Sequence, residues 1–248
     1  MIHAARLALS ALTALCLLAA CSSASAGGGD RSSATSNVTV FAASSLTDVF
    51  AAEATAYQAK SGNGVTFSFA GSQDLVAQIG NGAPADVLAT ADEKTMGLVA
   101  DRLADPPRVF AHNTLVIALA KDNPGRVHTL ADLGRDGVVV VLPDPSVPAG
   151  KYAAQALSDA HVSVKPASLE DNVRSVLTKV RLGEADAGIV YRTDVRATGG
   201  GVTSTPIDGG PVATYPIAPV DPAGRGFVDF VLSPAGLAIL AKFGFLPP

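Results

Sequence analysis

Apolar residues recur along the chain in short runs that alternate with segments of helical spacing. The runs that predict buried strands cover residues 38–42, 65–69, 86–89, 115–120, 138–142 and 187–191, and an extended segment covers 215–218. The segments that predict helices cover 46–60, 73–80, 94–101, 151–160 and 173–182, and an apolar-striped helical region over 226–243 is interrupted near Ser233 and Pro234. Strands that alternate with helices predict βαβ units and a parallel sheet.

The alternation occurs in two sets, and the segment Asp122-Asn-Pro-Gly125 breaks the chain between them. The apolar residues of the terminal helices need a core to cover, so we expect this tail to return to the first set. The predicted fold class is therefore α/β with two lobes. Lobe 1 comprises residues 38–116 and 217–248, lobe 2 comprises 117–216, and a cleft lies between them.

The first 37 residues carry the features of an exported protein that stays attached to a membrane. Arg6 precedes an apolar run over 7–20 that is too short to span a bilayer as a stable helix. The run ends in Leu18-Ala-Ala-Cys21, which resembles the lipobox of bacterial lipoproteins, in which the cysteine is acylated. We predict a lipoprotein signal peptide over 1–20, lipidation of Cys21 and a Ser/Gly/Ala-rich flexible tether up to residue 37. An ordinary secretory peptide with a chance cysteine is the alternative.

The composition limits which ligands and cofactors the chain after residue 37 can bind. The formal net charge of −4 argues against a nucleic-acid partner, which requires a basic surface. Of the two cysteines, Cys16 lies in the predicted signal peptide and Cys21 is the predicted lipid attachment point, so we expect no disulfide and no thiolate metal site. The four histidines form no H-x-x-x-H pair, which argues against a site for a transition-metal cation.

The sequence lacks the motifs of common enzyme classes. It contains no G-x-S-x-G elbow, no Walker motif and no G-x-G-x-x-G loop. Asp86 with Asp92 and Glu170 with Asp171 are pairs of carboxylates, but nothing marks either pair as an acid–base couple, and we expect these residues to cap helices or to lie in solvated turns. An exported α/β hydrolase with Ser45 or Ser72 as nucleophile is an alternative, although neither serine has a recognisable histidine partner.

Small and hydroxyl-bearing residues recur where predicted strands and helices meet. These residues are Ser44, Ser45, Ser72, Ala149, Val173 and Tyr191. In α/β proteins such turns lie at the carboxyl ends of strands, where ligands usually bind. Helix N-termini present unpaired N–H groups and a partial positive charge, and hydroxyls add further donors. The residues alone leave two readings equally open, an oxyanion site and ordinary helix capping, for which Ser45 and Asp48 have a suitable spacing.

Six motifs in order resemble one known family from about residue 38 to the C-terminus. They are Thr39-Val-Phe-Ala-Ala-Ser-Ser-Leu-Thr47, Phe69-Ala-Gly-Ser72, Gly82-Ala-Pro-Ala-Asp-Val-Leu88 with Asp92, Val147-Pro-Ala-Gly150 with Tyr152, Asp171-x-Val173-Arg174, and Gly188-Ile-Val-Tyr191 with Asp194. Together they are similar to the periplasmic molybdate-binding proteins of molybdate ABC transporters. The terminal Phe243-Gly-Phe245 also resembles the end of that family.

The resemblance implies a type II-like periplasmic-binding-protein fold that closes like a hinge around molybdate or tungstate. It implies ligand hydroxyls from Ser45, Ser72 and Tyr191, and backbone N–H donors from Ser45, Ser72, Ala149 and Val173. Ser44 is given a supporting role, and molybdenum enters only as the bound oxyanion. The implied protein is a monomer without catalytic residues or cofactor that delivers its ligand to an ABC permease and touches the membrane through its lipid anchor only.

Two further alternatives remain beside this expectation. A binder of another oxyanion, such as sulfate or phosphate, could use the same fold. A ligand-sensing domain of a transcription regulator could also have two such lobes, but the lipobox and the lack of a DNA-binding helix-turn-helix segment before Val38 argue against it.

Overall fold

Nine strands and eight α-helices alternate along residues 36–248, which are the residues that the computed structural model describes. The strands are β1 (Asn37–Ala43), β2 (Gly64–Ala70), β3 (Val87–Ala89), β4 (Arg108–Leu119), β5 (Val140–Pro143), β6 (Ser168–Glu170), β7 (Ala187–Tyr191), β8 (Thr203–Pro206) and β9 (Val212–Pro219). The helices are α1 (Thr47–Ser61), α2 (Ser72–Gly80), α3 (Glu93–Gly97), α4 (Pro148–Asp159), α5 (Val173–Leu182), α6 (Arg192–Ala197), α7 (Arg225–Val231) and α8 (Pro234–Phe243). The predicted signal peptide, Cys21 and nearly all of the predicted tether lie outside the described residues.

The strands form one path in the order β2-β1-β3-β9-β4-β7-β5-β6, with β8 paired to β4. β1 is parallel to β2 and β3, and β5 is parallel to β6 and β7. We call these two parallel groups, with the helices that follow their strands, the first half and the second half. The α/β fold class predicted from the alternation is confirmed.

The two halves are joined by β4 and β9, which are the longest strands of the sheet. The beginning of β4 pairs antiparallel with β9, while its end, Leu115–Leu119, pairs antiparallel with β7. The sequence predicts only that second part of β4, because His112, Asn113 and Thr114 interrupt the apolar pattern before it. Asn113 is nevertheless buried, and its side-chain amide donates to the Thr193 hydroxyl at 2.8 Å.

The terminal helices α7 and α8 cover the core of the first half. The Phe227 ring of α7 lies 5.7 Å from Phe50 and 5.4 Å from Tyr57, both of which belong to α1. Within residues 36–248 no single helix is long and apolar enough to cross a membrane, although Pro222–Val231 and Pro234–Phe243 satisfy length and composition as a pair bent by 63°. The inward residues of this pair, such as Phe227 and Leu240, are buried.

One carboxyl group lies inside this core. Glu53 of α1 is 0% exposed, and neither of its carboxylate oxygens has a hydrogen-bond partner among the described residues. Burial raises the pKa of Glu53 to about 8, because a charge is poorly solvated in an apolar interior. The folded protein therefore keeps a proton that the unfolded chain releases above its ordinary pKa of 4.5, so stability falls as pH rises through this window.

We expect Glu53→Gln to remove this pH dependence. Between pH 5 and 8 the variant should gain stability relative to the wild-type protein, by up to about 4 kcal/mol, since one pKa unit corresponds to about 1.4 kcal/mol. Urea unfolding at both pH values measures the difference. Glu184→Gln, at an exposed position, is the matched control and should leave the difference constant. A constant difference for Glu53→Gln as well would show that Glu53 does not keep its proton.

Candidate functional site

A small cavity lies between the two halves, where strands of both end and helices begin. All six residues named from the sequence line it, namely Ser44, Ser45, Ser72, Ala149, Val173 and Tyr191. Five of them are no more than 3% exposed, and Ser44, at the edge, is 8% exposed. The structure thus brings together residues that lie up to 147 positions apart in the sequence.

The size of this cavity limits what it can hold. The space open to the centre of a water-sized sphere is about 20 Å³, against about 10–15 Å³ for a single water molecule. A space of this size accepts an ion with one central atom and four oxygens. It is too small for a sugar, an amino acid or a nucleotide.

In the first half, the two helix starts that face the cavity have no side-chain cap. Ser45 lies in a 3₁₀ turn before α1, and Ser72 is the first residue of α2 after Gly71. The spacing of Ser45 and Asp48, which suits a cap, does not form one, because no side chain caps the start of α1. Ser45 Oγ instead lies 3.0 Å from Tyr215 Oη, and Ser72 Oγ accepts from the Ala91 N–H at 3.1 Å. The capping alternative for these serines is therefore excluded.

The second half contributes two more helix N-termini. α4 begins with Pro148, which has no N–H group, so the N–H of Ala149 is the first donor at that end. α5 begins with Val173, directly after its cap Asn172. Because the first N–H groups of a helix have no partner within the helix, Ala149 and Val173 present donors to the cavity without any side chain.

Gly150 allows α4 to begin this close to the end of β5. A Cβ atom added to Gly150 would lie 1.9 Å from the carbonyl oxygen of Asp144, a separation that no side chain can adopt. The glycine therefore places the N-terminus of α4 at the cavity.

Tyr191, the last residue of β7, adds a side-chain hydroxyl to the lining of the cavity. Its side chain is 1% exposed, and its Oη has no hydrogen-bond partner among the described residues. Its backbone N–H donates to Asp194 Oδ2 at 3.1 Å, which fixes the strand end. Burial raises the pKa of Tyr191 well above its ordinary value, so the phenol keeps its proton. An unpaired buried hydroxyl costs about 1–3 kcal/mol, a cost that a ligand oxygen would remove.

The two cationic side chains nearest the cavity are paired with carboxylates. Lys151 Nζ lies 3.0 Å from Asp92 Oδ2, and Arg174 contacts Asp48 while its Nε lies 2.8 Å from Asp194 Oδ1. The residues that line the cavity are uncharged. A bound anion would therefore be stabilised by hydroxyls and helix N-termini rather than by a free lysine or arginine.

Polar contacts join the two halves next to residues that line the cavity. The contacts of Lys151 with Asp92 and Thr95 join α4 to α3, and that of Arg174 with Asp48 joins α5 to α1. Gln73 Nε2 of α2 donates to the carbonyl oxygen of Asp171 at 3.0 Å.

The expectation for the other carboxylates is met in part. Asp92 caps α3 by accepting from the Thr95 N–H at 2.5 Å, and Glu170 is paired with Lys179 at 2.6 Å. Both are buried rather than solvated. Within the described residues, no group of three or more His, Cys, Asp or Glu side chains could hold a metal ion.

The sequence did not point to Tyr215 or Lys151. Tyr215 lies 170 residues from Ser45, and its strand shows only an extended, apolar pattern. Lys151 follows Ala149 by two positions but carries no motif of its own. Only the three-dimensional structure places these side chains beside the cavity.

Comparison with known proteins agrees with this geometry. Residues 38–246 match the family described as bacterial extracellular solute-binding protein. The molybdate-binding protein ModA of Mycobacterium tuberculosis strain H37Rv is 41% identical over 222 residues, which cover 86% of this chain and 85% of that protein.

Two solved structures share the fold at lower identity. The periplasmic molybdate-binding protein of Azotobacter vinelandii has a TM-score of 0.74 at 20% identity, with 85% of this chain and 99% of that chain covered. The sulfate-binding protein SubI of M. tuberculosis H37Rv has a TM-score of 0.69 at 19% identity, with 86% and 87% covered. The fold therefore does not decide between these anions. The 41% identity to ModA assigns the sequence to a family. The chain belongs to the bacterial extracellular solute-binding proteins and, among them, to the ModA family.

Proposed function

We propose that the chain is an extracytoplasmic binding protein that captures molybdate, and tungstate with it, for an ABC permease. The observation that carries this proposal is one small cavity where four helix starts converge with the hydroxyls of Ser45, Ser72 and Tyr191. Such a cavity supplies donors and no lone cation. It suits an ion whose oxygens are all acceptors, and the 41% identity to a ModA protein supports molybdate as that ion.

The energetics of burial favour a ligand that is hydrogen-bonded on every side. A buried dianion is costly unless its oxygens are paired. Hydrogen bonds to charged groups contribute about 1.5–3 kcal/mol each, and about seven donors are proposed, three hydroxyls and four backbone N–H groups. Although these contributions do not add simply, they are large enough to offset desolvation and leave tight binding.

Selectivity should follow from size and from protonation. Tungstate and molybdate are nearly equal in size, so both should bind. Sulfate is smaller and would leave donors too far from its oxygens. Phosphate carries a proton near neutral pH, and that proton would meet donors only.

Capture would take place between two lobes, residues 38–116 with 217–248 and residues 117–216, that open and close about β4 and β9. The ligand favours closure only through contacts that it makes in the closed state and not in the open state. A lipid on Cys21 and the tether up to residue 37 would keep the monomeric domain beside the permease, after removal of the signal peptide over 1–20.

Calorimetric titration with molybdate, tungstate, sulfate and phosphate tests the ligand. We expect tight binding of the first two anions and binding of sulfate and phosphate at least about 100-fold weaker, a difference of about 2.7 kcal/mol. Equal affinity for sulfate would refute molybdate as the ligand. Turnover of ester substrates that is lost in Ser72→Ala would favour the hydrolase alternative instead.

Gly71→Ala tests whether the halves must meet for binding. Gly71 has an ordinary φ of −61°, but an added Cβ would lie 2.4 Å from Gln73 Nε2 and 2.6 Å from the backbone carbonyl oxygen of Asp171 in the other half. The Gln73 side chain can turn away, whereas the Asp171 backbone cannot. The alanine should hold the halves apart and weaken molybdate binding by about tenfold or more, which corresponds to 1.4 kcal/mol. The dissociation rate, measured by stopped flow, should rise accordingly.

The matched control is Gly80→Ala in the same helix, where an added Cβ meets nothing within 4 Å. This variant should bind molybdate as the wild-type protein does. Unchanged affinity in Gly71→Ala would mean that the contact at Asp171 is not needed for the bound state.

A further inference from the structure

A hydrogen bond behind the cavity joins Ser45 to Tyr215. Tyr215 of β9 is fully buried, does not line the cavity, and places its Oη 3.0 Å from Ser45 Oγ. Its ring is held by Phe110, Tyr191 and Phe245, whose ring centroids lie 6.1, 5.7 and 5.5 Å away. The phenol therefore has little freedom to turn away from Ser45.

The direction of this hydrogen bond matters for the cavity, because either hydroxyl can donate to the other. Each hydroxyl has one hydrogen, so only one of Tyr215 and Ser45 donates across the contact. Burial raises the pKa of Tyr215 above its ordinary value, so the phenol keeps its hydrogen and needs an acceptor. Ser45 Oγ lies within hydrogen-bond distance of Tyr215 Oη at 3.0 Å, and we assign the donation across this contact to Tyr215. Ser45 is then left with its own hydrogen, which can point into the cavity.

Ser72 is arranged in the same way. Its Oγ accepts from the backbone N–H of Ala91, a group that can only donate. Ser72 therefore also has its hydrogen free for the cavity. Each of the two serines thus has a donor behind it, a phenol behind Ser45 and an amide behind Ser72.

We propose that Tyr215 is a positioning residue that turns Ser45 into a hydrogen-bond donor toward the cavity and thereby favours tetrahedral oxyanions that carry no proton. This role of Tyr215 rests on the proposed function as an oxyanion-binding protein. Part of the selectivity for anions without a proton would then come from Tyr215, a side chain that does not contact the ligand.

This arrangement should weaken the binding of a protonated anion. Its O–H group needs an acceptor in the cavity. If Ser45 accepted it while donating to Tyr215, the hydrogen of the Tyr215 hydroxyl would lose its acceptor in a fully buried position. Buried hydrogens without an acceptor are unfavourable, so Ser45 stays a donor. Without the Tyr215 hydroxyl, Ser45 is free to turn and accept.

Tyr215→Phe removes this hydroxyl and keeps the ring. Calorimetric titration at pH 8 compares molybdate, which has no proton, with inorganic phosphate, which at this pH is mainly hydrogen phosphate with one proton. We expect molybdate affinity to fall about tenfold, by analogy with other lost bonds near charged groups. Affinity for hydrogen phosphate should stay the same or rise. The ratio of the two affinities should therefore fall by at least about tenfold.

Ser45→Ala provides the second arm of a double-mutant cycle. In the Ser45→Ala background, Tyr215→Phe should change neither affinity, because the hydroxyl that it orients is gone. Equal losses for both anions, or additive effects of the two substitutions, would overturn the positioning role and leave Tyr215 a packing residue. Should Tyr215→Phe unfold, Ser45→Ala alone must lower the affinity ratio, and an unchanged ratio would also overturn the proposal.

The wild-type titrations separate this inference from the proposed function. If the wild-type protein prefers sulfate to molybdate, molybdate as the ligand is wrong, and the same ratio is measured with sulfate against hydrogen phosphate. If it prefers molybdate and Tyr215→Phe leaves the ratio unchanged, only the role of Tyr215 fails.

Discussion

Helix starts from both halves line one cavity, and their first backbone N–H groups have no partner within their own helices. Side-chain caps would normally take up these groups, but the starts of α1, α2 and α4 have none. The nearest cations are neutralised by carboxylates, so they offer no alternative centre of positive charge. These N–H donors lack hydrogen-bond acceptors, and an ion whose oxygens only accept can supply them. The fold is therefore suited to binding an oxyanion.

The sheet explains how four helix starts reach one point. In each half, parallel strands end at the same edge, so the helices that follow begin side by side. The antiparallel strands β4 and β9 run between the halves and bring the two edges face to face. Two glycines allow the close approach, Gly150 beside the Asp144 carbonyl and Gly71 beside the Asp171 carbonyl. Small residues at these turns are therefore a packing requirement of the cavity.

The sequence predicted most of the alternating strands and helices and the six residues that line the cavity. It did not predict the side chains that contact those residues from behind. The strand and helix patterns placed all six predicted residues at turns, because periodicity and turn chemistry are local signals. It missed the polar beginning of β4, since the burial of Asn113 depends on Thr193, 80 residues away. It also missed Tyr215, because the bond to Ser45 joins positions 170 residues apart. Local patterns do not carry such contacts.

A crystal structure with molybdate would show where the anion binds and which groups hold it. We expect tetrahedral density in the cavity, within hydrogen-bond distance of the hydroxyls of Ser45, Ser72 and Tyr191 and of the N–H groups of Ala149 and Val173. No lysine or arginine side chain should lie within hydrogen-bond distance of the anion. An anion bound outside this cavity, or held by Arg174 or Lys151, would contradict this expectation.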